Sequence, residues 1–284
     1  MANILVADSG STKTHWILFR NDRKEAPFIT SGINPFYQDT ESIVDTIEKT
    51  LLKNVIIQPD HIFFYGAGCA NQKQEIVMNA LKRIYPATDV FVGSDLLGAA
   101  RSLCQNKSGI ACILGTGSNS CFYDGKEIAA HVSPLGYILG DEGSGAVLGK
   151  TLISDILKNQ LPEVVSQRFF DTYQLNVNSI LDSAYKQPFP NRYLAQFAKF
   201  IGDNIEIPEV ENIVLESFEE FITRNVMQYE QVKTTEIYFT GSIAWYFQDQ
   251  LIRTLEKFGL KAAKITKAPL DDLITYHNQH LALI

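Results

Sequence analysis

The pattern of hydrophobic and polar positions predicts strands and helices that alternate along the whole chain. Short runs rich in apolar and β-branched residues, typical of buried strands, occupy residues 4–7, 61–65, 89–92, 109–114 and 235–240. Apolar residues at helical spacing follow between them, with the clearest stripes at 41–53, 73–85, 163–173, 191–202, 210–229 and 248–258. A last helix is predicted at 270–281, after Pro269. This order of elements predicts an α/β protein.

An arrangement of strand, turn and returning strand occurs twice in the chain. The first copy spans residues 4–20 around the turn DSGSTK at 8–13, and the second spans 109–123 around GTGSNS at 115–120. The second copy ends at Asp124 and Gly125, a pair that favours a hairpin turn. Two halves that open in the same way indicate an internal repeat of architecture.

Composition places the protein in a broad class. The chain has 284 residues, of which 45% are hydrophobic and 20% are charged, which is typical of a globular protein. Its net charge of −7 argues against a general binder of nucleic acids or anionic membranes, since both need basic surfaces. An acidic protein that binds a polyanion such as a nucleotide must do so locally, with backbone N–H groups and a metal ion.

The cysteines and the apolar segments predict a cytoplasmic protein. The four cysteines contain no CxxC pair, which indicates reduced thiols rather than a disulfide framework. No stretch approaches the roughly 20 apolar residues of a membrane-spanning helix. The first apolar run, residues 4–7, has no basic segment before it and is too short for a signal peptide.

Three predicted strands end in a turn that combines glycine with serine or threonine. These turns lie at residues 8–13, 115–118 and 241–244. Glycine allows the backbone to approach a ligand closely, and successive N–H groups can bind an anion. A single turn of this kind is usually only a turn. Three at comparable strand ends favour a binding site for an anionic ligand.

Two aspartates at strand ends each allow two interpretations. Asp8 follows a buried strand and could hold Mg²⁺ through water, or could cap its own turn. Asp95 follows a second strand and precedes a helix, so it could be the N-cap of that helix or a general base that accepts a hydroxyl proton. The sequence leaves both questions open.

A cluster of glycine and acidic residues, GDEGSG at 140–145, begins another helix. Acidic residues favour a helix N-terminus, but this number of glycines exceeds what a cap requires, so we interpret the cluster as a ligand site. His277 and His280 are three residues apart on the last helix, without the further ligands that a metal site needs.

Taken together, these motifs resemble the BadF/BadG/BcrA/BcrD ATPase family, and within it the N-acetylglucosamine kinases. That family belongs to the actin, hexokinase and Hsp70 superfamily. The resemblance spans nearly the whole chain and depends on the order of five segments. They are ADSGSTKT at 7–14 (phosphate 1), SDLLGA at 94–99 (connecting helix), ILGTGSN at 113–119 (phosphate 2), GDEGS at 140–144 (hexosamine-kinase signature) and FTGSIA at 239–244 (adenosine motif).

The resemblance implies a fold and two cofactors. The expected structure has two actin-like (ribonuclease H-like) domains with mixed sheets flanked by helices, and an ATP cleft between them. The expected domains are residues 1–108 plus 269–284 and residues 109–268. ATP and Mg²⁺ are the implied cofactors.

The resemblance also implies roles for individual residues. Asp95 would be the catalytic base for the 6-hydroxyl of a sugar, and Asp8 would hold Mg²⁺ through water. The implied nucleotide- and phosphate-binding residues are Gly10, Ser11, Thr12, Lys13, Gly115, Thr116, Gly117, Ser118, Gly241, Ser242 and Ala244. The implied sugar-binding residues are Asn34, Asp95, Thr116, Gly117 and Asp141.

Three departures from the family pattern bear on function. Ser9 replaces a glycine of the phosphate 1 motif, which is acceptable if its φ is negative. Pro134 and Leu135 stand where animal hexosamine kinases have a Gly-Trp pair in contact with the sugar, so the identity of the sugar substrate stays open. The last helix begins with LDDLI at 270–274, where the family usually has a face of small Ala and Gly residues for close helix packing. Separately, the chain lacks the paired cysteines of the iron–sulfur members of the family, which argues against their role.

The leading hypothesis is an ATP-dependent kinase that phosphorylates the 6-hydroxyl of an amino sugar, with N-acetylglucosamine in first place. N-acetylmuramic acid, glucosamine or another hexose are alternative substrates. Two alternatives of another class are an ATPase switch that acts on a protein partner and a non-catalytic sugar sensor. The expected partners are the sugar and ATP, without nucleic acid or membrane, and a homodimer stays open.

Overall fold

The computed structural model describes residues 2–10, 12–20, 23–55 and 57–281, with Asn71 described by its backbone alone. The chain divides into two compact units, Met1–Asn106 with Pro269–Ile284 and Lys107–Ala268. No described helix has the length and apolar character needed to cross a bilayer. The four cysteines are buried and form no disulfide.

The described strands and helices are numbered in chain order. The strands are β1 (Ile4–Ser9), β2 (Lys13–Arg20), β3 (Arg23–Lys24), β4 (Phe28–Ser31), β5 (His61–Gly66), β6 (Asp89–Ser94), β7 (Gly109–Leu114), β8 (Ser118–Tyr123), β9 (Ile128–Val132), β10 (Ile237–Thr240) and β11 (Ala262–Thr266). The helices are α1 (Thr40–Thr50), α2 (Gln74–Ile84), α3 (Asp95–Cys104), α4 (Gly136–Leu139), α5 (Gly145–Leu157), α6 (Glu163–Tyr173), α7 (Val177–Tyr185), α8 (Pro190–Ala195), α9 (Ala198–Asp203), α10 (Pro208–Arg224), α11 (Ser242–Tyr246), α12 (Gln248–Lys257) and α13 (Leu270–Leu281).

The first unit is a mixed sheet in the order β3-β2-β1-β5-β6, with β4 paired to β2. β1 and β2 form the predicted antiparallel hairpin, while β5 and β6 run parallel to β1. Successive residues of a strand point to opposite faces, and β1 follows this rule. Leu5 and Ala7 join the core that contains α1 and α2, whereas Ile4 and Val6 pack with residues of α13 on the other face.

The second unit repeats this topology with the strand order β9-β8-β7-β10-β11. β7 and β8 are antiparallel, and β10 and β11 run parallel to β7. The internal repeat of architecture predicted from the two hairpins is therefore confirmed. Helices α5 to α10 follow the third strand of this repeat, and their apolar faces join the β7 and β10 side chains in one core.

Some elements differ from the sequence pattern. The stripe at 191–202 forms two short helices, α8 and α9, and the stripe at 210–229 ends as an α-helix at Arg224. Hydrophobic periodicity could not reveal these breaks, because the side chains on both sides of each break are buried in the same core. β4 was not predicted, although it leads the chain to Asn34.

Candidate active site

In the first unit, Asp8 and Asp95 lie at the carboxyl ends of parallel strands. Asp8 is aligned with Tyr65 of β5, which is aligned with Gly93 of β6, and Asp95 is the first residue of α3 immediately after β6. Ligands of open α/β sheets bind outside this edge of the sheet. The connection from β6 to α3 therefore places both carboxyl groups where a ligand can be bound.

Both carboxyl groups have lost much of their hydration. Burial and the charge of Asp95 raise the pKa of Asp8 to about 7. Burial also raises the pKa of Asp95, although the N–H of Leu96 donates to its Oδ1 at 2.9 Å and opposes this rise. A desolvated pair of like charges is typical of a functional site, since folding alone does not benefit from it.

Helix capping does not account for Asp95. The N-cap of α3 is Ser94, whose side-chain oxygen accepts a hydrogen bond from the N–H of Leu97 at 3.1 Å. Asp95 is the next residue and occupies the first helical position. Of the two interpretations that the sequence left open, the N-cap role thus belongs to the neighbouring serine.

The donor set of the first unit fits Mg²⁺. Mg²⁺ usually keeps several waters and is bound through one or two carboxylates together with substrate phosphates. Asp8 would provide one such carboxylate, and a divalent cation there would relieve its repulsion from the charge of Asp95. Within the described ranges, no three His, Cys, Asp or Glu side chains are grouped to hold a metal by themselves.

The turn of the first hairpin follows Asp8 directly. Its backbone is partly engaged, because the N–H of Gly10 donates to the carbonyl oxygen of Lys13 at 3.0 Å. The Thr12 and Lys13 side chains are exposed. Ser11 lies outside the described residues. Ser9 belongs to the extended strand β1 and is not among the described residues with positive φ, as its replacement of glycine requires.

Asn34 is held by its own turn beside the loop that follows β5. Its Oδ1 accepts a hydrogen bond from the N–H of Phe36 at 2.9 Å, and its side chain is buried. Gly68 has a φ of +79°, and a Cβ there would lie 2.5 Å from Asn34 Oδ1. A glycine at 68 is therefore needed for this close packing. The two N–H bonds of the Asn34 side-chain amide (Nδ2) have no acceptor among the described residues.

In the second unit, the turn between β7 and β8 contacts the start of α5. The N–H groups of Gly145 and Ala146 donate to the carbonyl oxygens of Gly115 and Thr116 at 2.8 and 3.1 Å. The N–H of Gly115 is itself engaged with the carbonyl of Gly117 at 2.9 Å. In the part of the chain that is described, the N–H groups of Thr116 and Gly117 have no acceptor, so they are the donors available to an anion.

The third glycine turn lies against the second, because β10 is paired with β7. Gly241 has a φ of +117°, and a Cβ at this position would lie 2.2 Å from the carbonyl oxygen of Leu114. Its N–H donates to the carbonyl of Thr266 at 3.0 Å, and Ser242 begins α11. Ala244 is buried in the core, so its methyl group is not accessible to a nucleotide.

Asp141 lies beside the turn at 115–118. Its Oδ1 accepts a hydrogen bond from the N–H of Ser118 at 3.3 Å, and its φ is +57°. A Cβ on Gly117 would lie 3.0 Å from its Oδ2. Burial and the neighbouring charge of Glu142 raise the pKa of Asp141 to about 6, against the opposing hydrogen bond from Ser118.

The two acidic residues of the 140–145 cluster have different surroundings. Glu142 is buried, forms an ion pair with Arg224 at 3.0 Å, and accepts a hydrogen bond from Asn225 at 3.4 Å. The N–H of Gly143 donates to Ser217 Oγ at 2.9 Å. Glu142 thus joins the cluster to the end of α10, a role that no local pattern could indicate because Arg224 is distant in sequence.

Pro134 and Leu135 also adjoin Asp141. The N–H of Asp141 donates to the carbonyl oxygen of Pro134 at 2.9 Å. Leu135 has a φ of +60° and is 60% exposed, so its side chain is available to a ligand. The position at which the sequence departs from the animal hexosamine kinases is therefore in contact with a predicted sugar-binding residue.

We expect Asp141 to make stability depend on pH. Its pKa of about 6 exceeds the unfolded value of about 3.9, so the folded protein binds the proton more tightly. The contribution of Asp141 to the free energy of unfolding should therefore fall by up to about 3 kcal/mol as pH rises from about 4 to about 6, in addition to the fall that Asp8 contributes up to about pH 7. Asp141→Asn should show a smaller fall than the wild type over this range, which urea unfolding at several pH values between about 4 and neutrality measures.

Asp182→Asn is the matched control for this experiment, because Asp182 is exposed on α7 and pairs with Lys186 at 2.7 Å. It should leave the pH dependence as in the wild type. An Asp141→Asn variant with an unchanged pH dependence would contradict the prediction.

Comparison with solved structures identifies proteins similar to this chain. A candidate N-acetylglucosamine kinase from Porphyromonas gingivalis is 45% identical, with a TM-score of 0.95 over 98% of this chain and 99% of that one. Another candidate N-acetylglucosamine kinase, from Chromobacterium violaceum, has a TM-score of 0.76 at 14% identity over 97% and 99% of the two chains. The ROK hexokinase of Thermus thermophilus has a TM-score of 0.55 at 15% identity, over 99% of this chain and 100% of that one.

No protein-family model and no curated protein matches the chain. The fold and the solved relatives define the class, a sugar kinase with two actin-like mixed sheets flanked by helices. At 45% identity over nearly the full length of both chains, the chain belongs to the N-acetylglucosamine kinase-like family of actin-fold ATPases.

Proposed function

We propose that this protein transfers the γ-phosphoryl group of ATP to the 6-hydroxyl of an amino sugar, N-acetylglucosamine in first place. The observation on which the proposal depends is Asp95. Its carboxyl group is desolvated, lies at the ligand-binding edge of the sheet, and is not used as a helix cap. Membership of the N-acetylglucosamine kinase-like family supports the choice of sugar.

Asp95 acts as the general base in this proposal. The sugar O6 forms a bond to the γ-phosphorus while the bond from that phosphorus to the β–γ bridging oxygen breaks, and ADP leaves. The proton of the 6-hydroxyl passes to the Asp95 carboxylate. A raised pKa suits this task, because a base is most effective when its pKa lies near the working pH.

The phosphates of ATP are bound mainly by backbone donors. In the second unit these are the N–H groups of Thr116 and Gly117, and in the first unit the turn at 10–13 contributes with Lys13. When bound, Mg²⁺ neutralises phosphate charge, and Asp8 holds its water ligands. Positioning and electrostatic stabilisation supply most of the catalysis in phosphoryl transfer. Gly241 and Ser242 belong to the part of the site that binds the nucleoside.

Asn34 and Asp141 are the proposed sugar-binding side chains. The Nδ2 donors of Asn34 can donate to sugar oxygens, and ionised Asp141 can accept a hydrogen bond from a sugar hydroxyl. Leu135 offers an apolar surface next to Asp141. An N-acetyl group combines an apolar methyl with a polar amide, which suits such a mixed surface better than a bare hydroxyl does.

A coupled ADP-release assay with a panel of sugars tests the proposal. The panel contains N-acetylglucosamine, glucosamine, N-acetylmuramic acid and glucose, each with Mg²⁺ and with EDTA. We expect kcat/KM for N-acetylglucosamine to exceed that for glucose by about 10-fold or more. Glucose lacks the N-acetyl group, and the loss of one substituent that a site binds lowers kcat/KM by at least this factor. Phosphorus NMR of the product should show a 6-phosphate.

The matched control is 6-deoxy-N-acetylglucosamine, which keeps every other substituent and lacks the acceptor oxygen. It should release no ADP above the water background. A phosphorylated deoxy sugar in the phosphorus NMR spectrum would exclude the 6-hydroxyl as acceptor, whereas ADP release with inorganic phosphate would show transfer to water. If no sugar in the panel raises turnover, the kinase proposal fails, and an ATPase switch or a sugar sensor takes its place.

A further inference from the structure

Ser9 connects the phosphate 1 hairpin to the loop that contains Asn34. Its side chain is completely buried, and its Oγ accepts a hydrogen bond from the N–H of Ile33 at 3.1 Å. The same hydroxyl lies 2.9 Å from the carbonyl oxygen of Ile33, to which it donates, and 2.7 Å from Thr14 Oγ1. One serine side chain therefore contacts both backbone groups of the residue immediately before Asn34.

These contacts begin where the strand ladder ends. The pairing of β2 with β4 stops at Lys13 and Ser31, so the following residues have no strand partner. Thr14 Oγ1 lies 3.2 Å from the carbonyl oxygen of Ser31, and the N–H of Gly32 donates to the carbonyl of Thr12 at 3.0 Å. Ser9 provides the next contact along the chain, to Ile33.

The buried side chain of Ile33 adds an apolar contact at the same point. Ile33 is 1% exposed and belongs to the core that contains α1 and α2. The carbonyl of Ser9 accepts a hydrogen bond from Ala67 at 2.9 Å, in the loop that packs against Asn34. Ser9 therefore contacts the Asn34 loop through its hydroxyl oxygen, and the loop of Ala67 and Gly68 through its carbonyl oxygen.

We propose that Ser9 is a positioning residue for sugar binding: its buried hydroxyl holds Ile33, and with it the Asn34 loop, against strand β1 next to Asp8. The glycine of the family pattern at this position has no atom that could do this. The inference that the loop is held does not require the proposed function, whereas the consequence for sugar binding rests on it.

Hydrogen exchange tests whether the loop is held, independently of activity. In the wild type, the amide of Ile33 should exchange about 100-fold more slowly than an unbonded loop amide, since exchange then requires local opening. Ser9→Ala should increase exchange at residues 32–38. Thr88→Val is the matched control: Thr88 immediately precedes β6, at the opposite end of that strand from Asp95, and has a buried hydroxyl that donates to the Pro59 carbonyl at 2.7 Å.

Steady-state kinetics test the consequence for the sugar. Ser9→Ala should raise KM for the sugar about 10-fold and leave KM for ATP within about twofold, because only the sugar loop is released. Thr88→Val should change neither constant, and Ser9→Thr, which keeps the hydroxyl, should restore the sugar KM. A general loss of stability would not separate the two KM values in this way.

The two measurements distinguish the possible failures. Fast exchange of the Ile33 amide in the wild type, or unchanged exchange in Ser9→Ala, would overturn the inference whether or not the protein is a kinase. Equal changes of both KM values, or the same change in Thr88→Val, would overturn the positioning role. Wild-type protein that turns over no sugar would instead contradict the proposed function, while the exchange data still decide whether Ser9 holds the loop.

Discussion

Asp95→Asn should reduce sugar-dependent ADP formation about a thousandfold, which is within the range that a general base contributes. The substitution keeps the shape of the side chain and removes its ability to accept the hydroxyl proton. KM for ATP should stay within about twofold, because Asp95 is not among the proposed nucleotide-binding groups. Initial-rate measurements over a grid of sugar and ATP concentrations provide both values.

The stability of this variant should not fall. Burial raises the pKa of Asp95, so its charged form is disfavoured in the folded protein, and Asn removes that charge. Asp95→Asn should therefore be at least as stable as the wild type at pH 8 in thermal unfolding without Mg²⁺. Loss of activity together with retained stability would assign the effect to chemistry rather than to folding.

Ser94→Ala is the control for Asp95→Asn, since it removes the cap of α3 and leaves the carboxylate in place. It should lower stability by about 1 kcal/mol and keep most of the activity. Two results would contradict the assignment of Asp95: full activity of Asp95→Asn with the sugar, or an equal loss of activity in both variants. ATP hydrolysis that survives Asp95→Asn and depends on a protein partner would favour the ATPase switch.

Gly241→Ala should destabilise the protein by more than about 3 kcal/mol, since it combines backbone strain with a steric overlap. The φ of +117° is a conformation that residues with a Cβ rarely adopt, and the new methyl group would lie 2.2 Å from the Leu114 carbonyl oxygen. The overlap can be relieved only if β10 or β7 moves at the turn that is proposed to bind the nucleoside. We therefore expect the Kd for ATP to rise by about 10-fold or more.

Gly259→Ala separates the two contributions. Gly259 also has a positive φ, +65°, but no atom lies within 4 Å of the position of a Cβ. Its replacement should cost about 1 kcal/mol of backbone strain and leave ATP binding unchanged. Chemical denaturation and calorimetric titration with ATP compare the variants. Equal destabilisation of both would show that the close approach of Gly241 to Leu114 is not significant.

Several features of the fold were predictable from local patterns. The β1–β2 and β7–β8 hairpins follow from short apolar strands separated by small turn residues, a signal contained within about 15 residues. The helix after β6 and the last helix, α13, follow from apolar spacing in the same way. The order of these elements predicted an α/β protein with an internal repeat of architecture, whereas the two actin-like mixed sheets were implied by the family resemblance.

The roles of individual side chains were less predictable. Local sequence could not decide between Ser94 and Asp95 as the cap of α3, since both residue types cap helices well. It also could not indicate the ion pair of Glu142 with Arg224 or the hydrogen bonds of Ser9 with Ile33, because each pair comes together only when distant segments pack. The raised pKa of Asp8 depends in the same way on burial and on Asp95 from another strand.

The sequence by itself thus determined the class of fold, the positions of the glycine turns and the identity of the candidate acidic residues. These depend on periodicity and turn chemistry, which act over a few neighbouring residues. Only the tertiary structure decided which N–H groups remain available at Thr116 and Gly117, and which carboxyl groups lose their hydration. Hydrogen-bond satisfaction and burial are properties of the packed chain, and no single segment contains them.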